Sequence, residues 1–555
     1  MKKKIGKMIS CVMALGMASA TVLSTAGCFG EKIANDENTL EIFISKFGYG
    51  TEWLDDTIEE FKKQDWVQAK YPNLSIPTPS SNSERTYPGD AIVSGANANT
   101  VDLFFTCMSF ASYYDNTDSS GKPIFADLTD VYEDTVPGED IKVANKMLPS
   151  YLASKQHVAK DGSTKYYSMP WVNGYMGLLY NATKTTEYLG ADYTLPRTSI
   201  ELGEMANAIK AQSKVPFISA SKVSYWTQVF QTWWMQYEGV TSYDNYWKGV
   251  DKYGEYNVNI FSQTGRLRAL ETLEGLIGRT TGNNHPDVTT LEFTPAQSKF
   301  LLGEAVMMPN GDWFENEMRS NYEEDQNHYE IKFMQMPIIS AISEKLSYYN
   351  ESVAWSELSA DKQAAYDDVL SAIVAYIDGD VSEQPTEVNG YTVSTNDVAI
   401  VREARKCMIG IDSHDAIIPE YATAKELAKD FLRFMATDVA CESFMRSTNG
   451  ASTAFNYDAK VKNPDLYASF SSLQKERAVM ALNGLTSSSM GTSKLVYWGG
   501  LTSFVQTSLL ETYFTSQNAA DRKTAKEIYD YEIKYYTDKN NENWNALLTR
   551  AGVQN

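Results

Sequence analysis

Segments with the two-residue period of a strand alternate with segments of helical period along most of this chain, and that alternation restricts the fold more than any other feature. Leu40, Ile42 and Ile44 are spaced as one face of a strand, and Trp53, Leu54, Thr57, Ile58 and Phe61 follow at helical spacing. Leu74 to Ile76 predicts a short strand, Tyr87 to Ala96 a helix, and Val101 to Phe105 a buried strand. Farther along, Leu202, Met205, Ala206 and Ile209 share a helix face, Val215 to Ile218 reads as a strand, and Trp226, Phe230, Trp233, Trp234 and Tyr237 mark another helix. Phe300 to Glu304 closes a helix before the strand Ala305 to Met308, and Ile331 to Met336 gives a further strand. Residues 340–397, which contain the helix Asp361 to Ile377 between polar flanks, read as an insertion, and Thr423 to Met435 is the clearest helix of a largely helical C-terminal third. Strands and helices in turn predict an α/β architecture. At 555 residues the chain has material for about three or four domain-sized units, or two large lobes.

Composition narrows the function. With 43% hydrophobic residues, 35 Tyr and 11 Trp, the chain fills a large core and still has aromatic rings for a binding surface, which excludes disordered and collagen-like classes. A net charge of −22 repels phosphate backbones, and no dense Lys/Arg run follows Lys7, so nucleic acid is not an expected partner. Acidic positions such as Glu323-Glu324-Asp325 and Asp538 read as solvated faces that serve solubility and docking, because none forms the alternating acidic loop that calcium needs. His157, His285, His328 and His414 are the only histidines and none lies within a helical turn of another, so neither a metal site nor a cofactor is expected. Signatures of acyl transfer and nucleotide chemistry are missing: Ser219 to Lys222, Ser359 to Lys362 and Ser472 to Lys475 repeat an S-x-x-K spacing without the K-T-G partner that would give it meaning. Glycosidase chemistry asks only for two suitably spaced carboxylates, which a chain with 71 acids leaves open.

The N-terminus reads as an export signal over residues 1–27: Lys2, Lys3, Lys4 and Lys7 precede an apolar stretch from Met8 to about Leu23 that is short for a membrane span. Leu23-Ser24-Thr25-Ala26-Gly27-Cys28 then resembles the lipobox of bacterial lipoproteins, which implies that Cys28 carries diacylglycerol and that residues 28–38 are a tether. Cys107, Cys407 and Cys441 cannot pair completely and read as small buried hydrophobes rather than a disulfide framework.

Three further segments carry a larger resemblance. Met169 to Asn181 resembles the proline-led hinge strand, ending in Tyr180-Asn181, of the extracellular solute-binding proteins of ABC importers, in particular the carbohydrate-binding type. Phe300 to Gly303, Ala305 to Met308 and Asn310-Gly311-Asp312-Trp313 are similar to that family's helix, strand and Asn-Gly-x-Trp turn, and Lys425 to Met435, preceded by Pro419, to its late helix. The resemblance implies two α/β lobes with an interlobe cleft, residues 39–170 plus 410–457 forming one and 171–409 plus 458–555 the other. The chain would cross near Trp171, near Cys407 to Asp412 and near Asn456. It also implies a monomeric, non-enzymatic receptor on the outer face of the cytoplasmic membrane, anchored there by its lipid, which hands a carbohydrate to ABC permease subunits. The alternatives are a receptor for another polar solute, such as a polyamine, and a surface-anchored glycoside hydrolase.

Sugars present apolar C–H faces and a rim of hydroxyls, so their sites need flat rings together with side chains that donate and accept hydrogen bonds. On that ground Trp313, Trp171 and Asn173 are candidate ligand contacts, with Asp312 either a hydroxyl acceptor or a helix cap. The family pattern adds Trp498 in the last lobe, Lys46 and Tyr49 after the first strand, and Thr106 and Ser109 after Phe105. Trp233 and Trp234 point about 100° apart on one helix, and Trp233 is taken as the ring that faces the cleft.

Overall fold

The computed structural model describes residues 36–553 apart from 47, 84–88, 90–91, 93–99, 119–120, 160–161, 221–224, 320–328, 411–413, 482–483, 488–492, 498 and 502–508. The export signal, Cys28, most of the predicted helix Tyr87 to Ala96, the acidic run at 323–325 and Trp498 therefore lie outside the described residues.

Two separate sheets organise the fold. In the first, the strands run in the order Ser80–Asn82, Ile42–Ser45, Leu103–Phe105, Asp415–Ile417 and Met169–Pro170. The three strands from the N-terminal part are parallel, with Phe43 opposite Phe104, whereas Asp415–Ile417 is antiparallel to both of its neighbours. Ile42 to Ser45 is buried throughout, as a strand covered on both faces must be. The helix Glu52–Lys62 supplies one cover through Trp53, Leu54, Ile58 and Phe61. The helix Lys425–Met435 adds Phe431 and Phe434, whose rings meet that of Phe61. A buried ion pair, Lys155 Nζ to Asp415 Oδ1 at 2.7 Å, fixes the start of the returning strand.

The second sheet is built on Tyr175–Asn181, which takes Met307–Gly311 along one edge and Ile409–Gly410 followed by Ile331–Met334 along the other, all antiparallel. Gly177 is required at its centre, because a Cβ there would stand 2.9 Å from the Phe333 ring of the neighbouring strand. Behind this sheet lies the larger helical core, and the helix Trp226–Glu238 runs through it with residues buried on every side.

That placement corrects one expectation. Trp233 does not face a cleft: its ring is fully buried in the second core and its indole N–H donates to the Pro337 carbonyl at 3.0 Å. Trp234, on the adjacent face, is equally buried and donates to Gln263 Oε1 at 2.7 Å, so a helix enclosed all round has no cleft face to offer. Residues 340–397, read as an insertion, pack against the same core. Their helix, Ala360–Asp378, contributes Tyr366, Val369, Leu370, Ile373 and Val374 to the same core.

The chain passes from the first sheet to the second between Pro170 and Tyr175, and returns between Gly410 and Asp415. Its last passage comes later than Asn456: Ala459, Leu466 and Phe470 still pack in the first core, and Leu473 is the first residue to join the second. Val215 to Ile218 is not a strand; Phe217 makes only single bridges, to Asn284 and Met307. Leu74 to Ile76 is reduced in the same way to a bridge between Thr39 and Ser75. Cys107, Cys407 and Cys441 are buried and outside any disulfide, and burial pushes the Cys407 thiol up to about 12. No helix among the described residues is long and apolar enough to cross a membrane.

Candidate functional site: an aromatic seam between the two sheets

The passages between the sheets run side by side. Trp171 N–H donates to the His414 carbonyl at 3.2 Å, and Asn173 N–H to the Ser452 carbonyl at 2.8 Å. Beside them, four segments far apart in sequence converge on one carboxylate. Asp312 follows the second sheet's Met307–Gly311 strand, and its Oδ1 accepts from the Tyr49 hydroxyl of the first lobe at 2.6 Å. Its Oδ2 lies 2.6 Å from Arg477 Nε, and its backbone N–H donates to the Tyr175 carbonyl at 3.0 Å. Asp312 and Arg477 are both fully buried. Burial pushes the Asp312 carboxyl above the usual carboxylate range, opposed by the Arg477 guanidinium and the Tyr49 hydroxyl. Burial likewise raises the Tyr49 phenol, with the Asp312 charge adding to the effect.

Three predicted aromatic residues close around this pair. Tyr49 stands edge-on to Trp171 and to Trp313, with ring centroids 6.1 and 6.5 Å apart. The Trp171 indole N–H donates to the Thr106 carbonyl at 3.2 Å. Trp313 belongs to a turn of the second sheet, yet its ring packs in the first lobe's core. Gly311 makes this possible: a Cβ there would fall 2.0 Å from the Trp313 ring, so only glycine lets the indole fold back over its own strand. Trp313 keeps 8% of its surface exposed, and Tyr225 meets it edge-on at 6.3 Å. A ring carried by a turn of the second sheet thus reaches across to the other lobe.

The remaining candidates divide. Thr106 is buried with its hydroxyl donating to the carbonyls of Met108 and Asp415, a contact that joins two first-sheet segments. Ser109 is half-buried and accepts from the Ala111 N–H at 3.4 Å, and Lys46 is exposed. Asn173 is buried with Oδ1 unpartnered, and it lines a cavity of about 200 Å³ together with Ser452, Phe455, Tyr457, Tyr467 and Phe470. Ser452 connects that cavity to the carboxylate, because Arg477 also bonds its hydroxyl. Sequence reasoning missed Arg477, Gln474, Tyr175 and Tyr225. Gln474 donates to the Asp312 carbonyl at 2.8 Å, and the Arg477 guanidinium lies over the Tyr175 ring at 5.1 Å. A signal for both was present: Leu473, Gln474, Arg477 and Ala481 recur at helical spacing, and polar side chains inside an otherwise apolar stripe mark a buried network.

Among the described residues no group of three or more His, Cys, Asp or Glu could hold a metal ion. Chemically, the seam offers flat rings from both lobes and a polar pair already committed to each other.

Comparison with known proteins bears on this arrangement. The model of a family described as bacterial extracellular solute-binding protein matches residues 51–440. A maltose-bound MalE3 of T. maritima covers 90% of this chain with 99% of its own, at 17% identity and a TM-score of 0.53. A probable secreted solute-binding lipoprotein from Streptomyces coelicolor covers 91% with 99% of its own, at 12% identity and 0.55. The GacH receptor of Streptomyces glaucescens, solved unliganded and with acarbose, covers 92% with 99% of its own, at 11% identity and 0.54. At these identities the likeness is one of fold, a two-lobed α/β binding protein. No curated protein sequence matches the chain.

Proposed function

The chain belongs to the bacterial extracellular solute-binding proteins, and from that premise we propose that it captures a carbohydrate between its two lobes and delivers it to a membrane permease. The observation that carries the reading is the convergence of Tyr49, Trp171, Asp312 and Trp313 from separate segments at the seam between the sheets. Rings that meet across a seam stack on the C–H faces of a sugar, while Asn173 Oδ1 and the hydroxyls around the adjoining cavity bond its rim. Hinge closure completes the site: the open form admits the ligand and the closed form, with both lobes in contact, is the one the permease receives. We place the lobe boundaries at the three passages, and the lipid anchor at Cys28, which would hold a monomeric receptor at the outer face of the cytoplasmic membrane.

A polyamine receptor would need carboxylates free to face cationic amines, but Asp312, the carboxylate at this seam, is engaged by Arg477 and Tyr49. The same engagement argues against its serving as one of a glycosidase's two acids. Thermal-shift and calorimetric titration of the protein from Glu31 onward against a panel of oligosaccharides tests the proposal. Trp313→Ala should weaken the ligand found by about 1 to 3 kcal/mol. Release of reducing ends from a bound oligosaccharide would instead make the protein a hydrolase. Failure of every saccharide, with a polyamine raising the melting temperature, would move it to the other receptor class.

A further inference from the structure

A cavity of about 640 Å³ is lined by segments of the second-sheet side and shares no lining residue with the seam. Its walls come from the start of the Tyr175–Asn181 strand, the segment after Ile331–Met334, and the C-terminal ends of the helices Ala360–Asp378, Thr395–Arg405 and Ser472–Ala481. The interior wall is made of soft apolar groups: the thioethers of Met176, Met336, Met408 and Met480 and the Phe333 ring. The rim is cationic. Arg405 is spent, since Nε and Nη2 grip the Asp378 carboxylate at 3.0 and 2.6 Å and Nη1 donates to the Met336 carbonyl at 2.8 Å. Arg402 and Lys406 are not: both are exposed, neither has a carboxylate partner among the described residues, and Arg402 rests over the Tyr376 ring at 5.7 Å.

We propose that this cavity is a second ligand site, distinct from the interlobe seam, for a small amphipathic anion whose apolar body lies against the methionines and whose carboxylate or sulfonate meets Arg402 and Lys406. The two halves of the lining argue for the two halves of the ligand. A chamber walled by thioethers and a phenyl ring favours an apolar, shape-tolerant body, because unbranched methionine side chains adjust to fill around it. Two uncommitted cations at the mouth of that chamber, in a chain of net charge −22, give the anionic head a local attraction. Gly484 belongs to the same design: a Cβ there would stand 2.9 Å from Met408 Sδ and push the sulfur out of place. Met408 comes directly before the Ile409–Gly410 strand that leads the chain back to the first lobe, so an occupant would touch the base of that passage.

Decanoate and its uncharged counterpart decanol serve as probes, with the methionine methyl groups of the full chain labelled for NMR. Decanoate should shift the methyl resonances of Met176, Met336, Met408 and Met480 and leave those distant from the cavity in place. The double variant Arg402→Ala/Lys406→Ala, which alters only exposed side chains, should weaken decanoate about tenfold at low salt, the difference shrinking as salt rises, and leave decanol unchanged. Decanoate shifts scattered over other methionines, no shift at saturating decanoate, or equal weakening of decanoate and decanol in the double variant would each overturn the proposal.

Discussion

Two tryptophan-rich regions of this molecule look alike in sequence and differ in what holds them. In the helical core, Trp234 meets Phe230, Tyr243, Tyr246 and Trp247, and both Trp233 and Trp234 satisfy their indole N–H within the same lobe. At the seam, Trp171 stacks on Trp53 at 5.0 Å within the first lobe, but Trp313 arrives from the second, and Tyr49 bonds a carboxylate that the second lobe supplies. The first set is held by one core and can separate only by unfolding. The second is held by contacts between bodies joined through a few backbone passages, so on the proposed hinge motion the same ring types would separate without unfolding either core. Burial alone does not tell them apart, since Trp233 and Trp171 are both essentially inaccessible. What separates them is whether the partner belongs to the same core.

The sharpest way to break the comparison is to delete one ring from the core set. Trp233→Ala should cost about 3 to 5 kcal/mol of stability, seen in denaturant unfolding, while the protein that remains folded keeps its ligand affinity. A variant that instead melts normally and binds weakly would put Trp233 in the binding machinery.

Tyr49→Phe acts on the seam alone. It keeps the ring and removes the hydroxyl that donates to Asp312, a bond to a charged acceptor worth about 1.5 to 3 kcal/mol. The loss should appear chiefly as weaker ligand binding and a more open form in small-angle scattering, with a smaller change in melting temperature. An equal fall in stability with unchanged compactness would show that the bond belongs to a rigid core.

How much of this was legible in the sequence follows from the same distinction. The strand at Ile42, the helices at Trp53, Ile200 and Lys425, and the Asn310-Gly311-Asp312-Trp313 turn were readable because each is fixed by local period or local backbone demand. Tyr49, Trp171, Asp312 and Trp313 could be named, but not the way they meet, because Arg477 reaches Asp312 from 165 positions away and period carries no such information. The error at Trp233 has a physical cause: a helix with apolar residues all round has no preferred outward face, and the sequence does not say that other helices enclose it. The helix at 360–378 was readable too, but its polar flanks describe its ends and say nothing about the face that joins the core.

Gly311→Ala probes the seam more gently. The added methyl would meet the Trp313 ring, so the indole must swing away from the first lobe at a cost of about 1 to 3 kcal/mol. Fluorescence of Trp313, isolated by comparison with Gly311→Ala/Trp313→Phe, should move to longer wavelength. An unshifted spectrum would mean that the strand yields rather than the ring, and that Trp313 is anchored as firmly as a core residue.

The smallest expected effect concerns pH, and it sets the seam against the core once more. Glu315, half-buried near the last passage, accepts from the Ser471 hydroxyl at 2.5 Å, and burial pushes its carboxyl up to about 7 against that bond. Glu511 and Asp367, buried on the second-lobe side, are also pushed up to about 7 by burial. A carboxyl whose folded pKa is raised holds its proton in the native state where the unfolded chain has lost it. The contribution of these three groups to stability is therefore fullest below the unfolded carboxylate range, about pH 4, and declines as pH rises toward and through 7. Glu511→Gln and Asp367→Asn should flatten that decline in thermal melts without altering the pH profile of ligand binding. Glu315→Gln should remove about 1 kcal/mol of the decline, since solvent reaches a half-buried carboxyl, and should also make ligand affinity less dependent on pH between about 6 and 8. Identical behaviour of all three variants in the binding profile would place Glu315 with the core groups and withdraw it from the closure.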